Sequence, residues 1–62
     1  MTPEEFKLFM QRHNLTDAQL AKILGVTVPA IHHWWTGRRK IHNTMVKLFK
    51  TFDRYPGLMA EF

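Results

Sequence analysis

The side chains best suited to chemistry lie close together in residues 25–40, GVTVPAIHHWWTGRRK. This stretch holds two adjacent histidines, two adjacent tryptophans and three consecutive cations. Histidines first suggest a metal site, but the chain has only four, His13, His32, His33 and His42, and no cysteine. Neighbouring residues on a helix point about 100° apart, and no thiolate or nearby carboxylate completes a tetrahedral set. We therefore expect neither a zinc site nor another cofactor.

An enzyme is also not expected, because no nucleophile, general base and orienting acid cluster in the sequence and no glycine-rich phosphate loop is present. The distribution of charge indicates a polyanionic partner instead. Asp17 and Asp53 bracket a stretch that contains no other acid and six cations, Lys22, Arg38, Arg39, Lys40, Lys47 and Lys50. A field of one sign attracts polyanions, above all nucleic acid, although lysines also keep small proteins in solution.

Length and composition limit the remaining possibilities. Sixty-two residues allow one domain with a small core. Without cysteine no disulfide framework exists, and nothing points to an oxidising compartment. The N-terminal MTPEEFKLFM carries two acids where a signal peptide has cations, and no apolar run approaches the ~20 residues of a membrane span. We expect a soluble, unprocessed, cytoplasmic protein without a membrane partner.

Two capping signatures predict the first two helices. Thr2 and Glu5 form a capping box for a helix from about Pro3 to His13. Its buried stripe follows the i, i+3, i+4, i+7 spacing and consists of Phe6, Phe9, Met10 and His13. The signature recurs at Thr16 and Gln19 and predicts a second helix through Leu24, with Leu20, Ile23 and Leu24 facing inward.

Gly25 follows the last apolar position of that helix, where a left-handed conformation costs glycine little, so the chain must turn there. Thr27 then caps a third helix that accommodates Pro29 in its first turn and ends before Gly37. On a helical wheel, Ile31, Trp34 and Trp35 form its inner face. The other face carries Val28, Pro29, His32, His33 and Thr36.

Residues 38–43 are predicted to form a polar, basic loop, with Asn43 or Thr44 capping a fourth helix. The apolar face of that helix consists of Met45, Leu48, Phe49 and Phe52. Pro56 opens a short final turn, and no alternating strand pattern occurs anywhere. The predicted fold is all-α, a compact bundle of four to five helices in a single domain, residues 1–62.

The run LTDAQLAKILGVTVPAIHHWWTGRR resembles the Cro/phage-repressor (XRE-type) helix-turn-helix family, whose members follow L-T-x-x-x-L-A-x-x-L-G-V-S/T-x-x-x-I-x-x-W-x-x-G-x-R. Twelve residues fall on this pattern, Leu15, Thr16, Leu20, Ala21, Leu24, Gly25, Val26, Thr27, Ile31, Trp34, Gly37 and Arg39. The C-terminal LFKTFDRYPGLMAEF resembles the tail of antitoxin-type members. The resemblance implies a lambda-repressor-like DNA-binding domain whose helix-turn-helix spans about residues 16–36.

In this family the start of the third helix contacts base edges, which implies base contacts from Thr27, Val28, Pro29, His32 and His33. Val28 and Pro29 offer only apolar contact, for instance with thymine methyl groups, so the histidines supply the polar discrimination. The phosphate contacts implied are Thr16, Thr36, Arg38, Arg39, Lys40 and Asn43.

Two residues depart from the family pattern. Asp17 would repel phosphate, so we assign it to the dipole of the second helix. Trp35 and Met10 stand where many members pair a Glu with an Arg, and we expect an apolar contact instead.

The resemblance implies a sequence-specific regulator of transcription that binds double-stranded DNA, most simply a dimeric repressor of its own operon. A C-terminal segment, about residues 49–62, supplies the apolar residues for a two-fold interface, Phe49, Tyr55, Leu58, Met59 and Phe62. These residues could equally close the core of a single chain. The alternative function is an antitoxin-like module that neutralises a partner protein such as a toxin, with DNA binding secondary.

Overall fold

Helices form all the regular structure in the computed structural model, which describes residues 1–62. There are four α-helices, α1 (Pro3–Arg12), α2 (Asp17–Leu24), α3 (Val28–Thr36) and α4 (Asn43–Arg54), followed by a C-terminal 3₁₀ helix (Pro56–Glu61). No strand is present. The predicted all-α class, the number of helices and the short C-terminal turn are thus confirmed. None of the helices combines the length and apolar character that crossing a membrane requires.

Both predicted capping boxes are formed. The Thr2 hydroxyl accepts from the Glu5 amide at 3.2 Å, and the Glu5 carboxylate accepts from the Thr2 amide at 2.9 Å. Thr16 and Gln19 make the same reciprocal pair at 3.1 and 2.9 Å. Each box satisfies amides that have no partner within the helix. Local sequence therefore decides where α1 and α2 begin.

The connection between α2 and α3 is three residues long. Gly25 adopts a left-handed conformation (φ 70°, ψ 31°) that ends α2. The Thr27 hydroxyl then accepts from the Ala30 amide at 3.3 Å and caps α3, with Pro29 in the first turn. Gly37, at φ 81°, ends α3 in the same way. A left-handed residue costs glycine little, so both turns follow from the sequence as predicted.

The core is a cluster of aromatic rings gathered from α1, α3 and α4. Phe49 is fully buried, with its ring centroid 5.3 Å from that of Phe6, 5.0 Å from Phe9 and 6.1 Å from Trp34. The ten buried residues are Phe6, Phe9, Met10, Leu20, Ala21, Ile31, Trp34, Ile41, Phe49 and Phe52. The assignment of Phe49 to a dimer interface is therefore wrong, because its ring is enclosed within one chain.

The loop between α3 and α4 also differs from its prediction. Ile41 is only 4% exposed and belongs to the core, so residues 38–43 are not uniformly polar. Because Ile41 is held inside, the chain enters α4 directly after it. The N-cap is His42, in extended conformation and without a side-chain capping bond, instead of Asn43 or Thr44.

A charged cluster ties the end of α1 to α4. The Arg12 guanidinium lies 2.7 Å from the Asp53 carboxylate, and His13 Nε2 lies 2.7 Å from the other carboxylate oxygen. His13 was predicted on the buried stripe. It is half-buried, with its ring against Phe9 at 4.8 Å, and its polar edge reaches Asp53.

Candidate nucleic-acid interface

One side of α3 is buried and the other side is open to solvent. Ile31 and Trp34 are buried, and Trp35 is half-buried, which confirms the predicted inner face. The opposite side presents the exposed residues Thr27, Val28, Pro29 and His32, which we call the exposed α3 surface. Thr36, at the C-terminal end of the predicted outer face, is exposed as well.

His33 differs from the other predicted base contacts because it is only half-exposed. The chain after α3 folds back toward it, since the Arg39 amide donates to the His33 carbonyl at 3.1 Å. The Thr36 hydroxyl donates to the same carbonyl at 3.4 Å. Between the two imidazoles, His32 is the more accessible group on this helix.

The His32 ring rests edge-on against Trp35. Their centroids are 4.5 Å apart and the planes are inclined at 79°. Trp35 in turn donates its indole N–H to an Asp17 carboxylate oxygen at 3.2 Å, and the Lys7 ammonium lies 5.4 Å from its ring centroid. Asp17, the first residue of α2, therefore has a tertiary partner besides the helix dipole.

Sequence reasoning missed this hydrogen bond. The available signal was the indole N–H of a tryptophan at the rim of the core, which ordinarily needs an acceptor. Trp35 and Met10 line one shallow cleft, and the expected apolar contact between them stays a prediction. The acceptor, however, comes from α2, which no spacing within α3 could have indicated.

The basic residues after α3 are free of ion pairs. Arg38, Arg39 and Lys40 are all exposed, and the two close pairs of a basic with an acidic side chain join Arg12 and His13 to Asp53. None of the six cations between Asp17 and Asp53 takes part in either pair. Their positive charge is therefore not neutralised within the chain and acts on whatever approaches.

Two shallow clefts lie along this basic stretch. One is lined by Lys40, His42 and Asn43, where α4 begins without a side-chain cap. The other includes Arg39, Lys40 and Trp34, together with residues near the start of α1. Amides at an uncapped helix start retain their donor capacity. Cationic side chains and free amide donors thus lie next to each other here.

The two threonines predicted to contact phosphate are exposed but already hydrogen-bonded. The Thr16 hydroxyl accepts from the Gln19 amide, which leaves its own proton free for a further acceptor. The Thr36 hydroxyl donates to His33, which leaves its oxygen as an acceptor only. Thr16 is therefore better suited than Thr36 to meet an anion.

The C-terminal apolar residues fall into two groups. Tyr55, Leu58 and Phe62 are 54%, 39% and 63% exposed, whereas Met59 is half-buried and packs against the core. Phe62 touches the buried Phe52 edge-on, at 5.2 Å between centroids. The predicted interface segment thus retains three exposed large side chains after Phe49 is assigned to the core.

No group of three or more His, Cys, Asp or Glu side chains is arranged to hold a metal ion. In comparisons with known proteins, the chain matches no protein-family model, and neither a curated protein nor a solved structure shows a similarity to it.

Proposed function

We propose that this protein binds double-stranded DNA sequence-specifically, with α2 and α3 acting as a helix-turn-helix, and represses transcription. The observation that carries the proposal is the exposed α3 surface flanked by cations without ion-pair partners. A major groove about 12 Å wide admits one α-helix. A helix that exposes one side from its first turn to its last residue, with basic residues directly after its end, has the form that such binding requires.

Base recognition in this proposal combines one polar and several apolar contacts. His32 donates to N7 or O6 of a purine, because an imidazole N–H matches the acceptors that purines display in the major groove. Val28, 44% exposed, and Pro29 beside it contact thymine methyl groups. Thr27 and the half-buried His33, which precede and follow His32 in the chain, also contact base edges in the groove.

Phosphate contacts come from charge and from helix starts. Arg38, Arg39 and Lys40 contact phosphates along one DNA strand, and Asn43, at the uncapped start of α4, adds backbone amide donors. On the other side Thr16 contributes its free hydroxyl proton and the start of α2. Thr36 contacts phosphate once its hydroxyl turns away from the His33 carbonyl. Three neutralised phosphates correspond to a slope of about −2.7 in a plot of log affinity against log salt concentration.

A dimer completes the proposal, because one short helix reads only a few base pairs. Two copies on half-sites about 34 Å apart explain how so small a domain reaches useful specificity. The exposed Tyr55, Leu58 and Phe62, with Met59 at their edge, are the interface that we propose. A small repressor without a ligand domain is then controlled by its own concentration, as an autorepressor is.

The same exposed apolar residues also support the alternative, an antitoxin-like module that neutralises a partner protein such as a toxin. In that case the three C-terminal side chains, Tyr55, Leu58 and Phe62, contact the partner and DNA binding is secondary. The two functions differ in what happens to the basic residues. Only DNA binding requires Arg39 and its neighbours for activity.

Selection of duplexes from a random double-stranded library tests the proposal without knowledge of the operator. His32→Ala should lose about 1–3 kcal/mol, or roughly 5- to 150-fold in affinity, for the enriched duplex and little for a scrambled one. The expected reason is loss of a base contact that scrambled DNA does not offer.

Arg39→Ala should weaken binding to every duplex and flatten the salt slope by about one unit. Arg54→Ala is the matched control for charge, because Arg54 is the last residue of α4, a helix about 18 Å long whose start carries the basic cleft. Its guanidinium lies 5.5 Å from the Tyr55 ring centroid, so sedimentation checks that this variant still dimerises. If the wild-type protein retards no duplex in dilute salt, or if the Arg39 and Arg54 variants behave alike, DNA binding through this surface is refuted.

A further inference from the structure

The hydrogen bond between Asp17 and Trp35 joins α2 to the back of α3, and His32 rests on the same indole. The acceptor oxygen of Asp17 lies 3.2 Å from Trp35 Nε1, and the His32 ring meets the indole ring at 4.5 Å. These two contacts form one continuous chain of three side chains, from the start of α2 to the exposed α3 surface.

His32 depends on this chain because it is exposed. An imidazole on a helix surface samples several rotamers unless something holds it. The edge contact with Trp35 restricts the ring on the side nearest the core. A side chain that is already ordered before binding loses less entropy when it contacts a ligand.

Trp35 needs an anchor of its own because it is only half-buried. Its neighbours across the fold are Lys7 of α1, whose ammonium lies 5.4 Å from the ring centroid, and Asp17 of α2. The ammonium attracts the ring without defining its rotation, whereas the hydrogen bond is directional. Asp17 is therefore the contact that determines how the indole is turned, and thus where the His32 ring rests.

We propose that Asp17 and Trp35 are positioning residues that determine base specificity by holding the His32 imidazole in place for a purine edge. This inference rests on the proposed function. Neither residue touches the DNA. Asp17, which at the surface would repel phosphate, acts through its bond to the indole.

Two substitutions at Asp17 separate its hydrogen bond from its charge. Asp17→Ala and Asp17→Asn both remove the negative charge at the start of α2, but asparagine keeps an acceptor oxygen for the indole N–H. Trp35→Phe removes the same hydrogen bond by removing its donor, and it keeps an aromatic ring for packing.

Affinity is measured for a duplex enriched by the wild-type protein and for a scrambled duplex of equal length. Asp17→Ala and Trp35→Phe should lower the ratio of the two affinities by about 3- to 10-fold, the range expected when an ordered side chain becomes mobile. Asp17→Asn should keep the ratio within about 2-fold. Trp35→Phe should keep the wild-type salt slope, and the two Asp17 variants, which lose the same charge, should share one slope.

NMR of the free protein supplies a readout that needs no DNA. The Trp35 indole N–H should exchange slowly with solvent in the wild type and in Asp17→Asn, and rapidly in Asp17→Ala. The His32 ring protons should lose their ring-current shifts in Asp17→Ala, since the indole beneath them is no longer held.

The possible results distinguish failure of the positioning role from failure of DNA binding. An unchanged affinity ratio in both Asp17→Ala and Trp35→Phe, with the wild type still selective, overturns the positioning role and leaves DNA binding intact. An equal loss for enriched and scrambled duplexes also overturns it, because that result indicates general damage to the fold. If the wild type enriches no duplex, the proposed function fails and this inference fails with it.

Discussion

Truncation of Phe49 to alanine distinguishes a core residue from an interface residue. Phe49 is fully buried and contacts the rings of Phe6, Phe9 and Trp34. Removing a buried phenylalanine costs about 3–5 kcal/mol, from the lost transfer free energy and the cavity left behind. A domain of this length has a stability of only about 3–5 kcal/mol. Phe49→Ala should therefore have almost no stability left, with a substantial unfolded fraction even without denaturant.

Far-ultraviolet circular dichroism without denaturant detects this loss of helix, and urea unfolding measures the smaller losses of variants that stay folded. Phe49→Leu fills most of the space and should stay folded, at a cost of about 1.5 kcal/mol. Phe62→Ala is the matched control, because Phe62 is 63% exposed and makes one edge contact with Phe52. Its cost in unfolding free energy should be below about 1 kcal/mol. A Phe49→Ala protein that remains folded and loses only self-association in sedimentation would refute the assignment of Phe49 to the core.

Three further predictions concern stability. Gly37→Ala should cost more unfolding free energy than Gly25→Ala, because both glycines are left-handed but only at position 37 does an added Cβ meet another group, Pro3 Cγ at 3.2 Å. We expect a loss of about 1–2 kcal/mol at Gly25 in urea unfolding, and equal losses at the two positions would contradict the contact with Pro3. Burial raises the pKa of Asp53, but hydrogen bonds from His13 and Arg12, together with their charge interactions, outweigh burial and hold the pKa below its ordinary value of 3.8. Because the pKa is lower in the folded state, the stabilisation is complete at pH values above the ordinary pKa and is lost as the pH falls through the lowered pKa. Asp53→Asn should therefore flatten the decrease of melting temperature at acid pH, and an unchanged decrease would count against the role of the Asp53 cluster. Thr16→Ala should cost about 1 kcal/mol of unfolding free energy and Thr16→Ser much less, and equal costs would mean that the cap contributes nothing.

Much of the local structure was predictable from the sequence because its causes lie within a few residues of each other. The capping boxes at Thr2 and Thr16 join side chains and amides three residues apart. The left-handed glycines, Gly25 and Gly37, end helices for reasons of backbone sterics alone. The division of α3 into an inner and an outer face followed from helical periodicity.

The candidate site was predictable only in part. The exposure of Thr27, Val28, Pro29 and His32 and the run of free cations were expected from spacing and charge. The partial burial of His33 was not expected, because it depends on how the chain folds back toward α3 after Gly37. Which DNA sequence, if any, this surface contacts stays a prediction that the selection experiment tests.

From the sequence alone follow the four α-helices, the capped starts of α1 to α3, the glycine ends of α2 and α3, and the one-signed charge between Asp17 and Asp53, since these depend on near neighbours and on composition. The packing of the helices places Phe49 and Ile41 in the core and gives the Trp35 indole a carboxylate partner 18 residues away in the chain. Periodicity tells which side chains share a face of a helix. Which helix covers that face depends on how all the faces pack together.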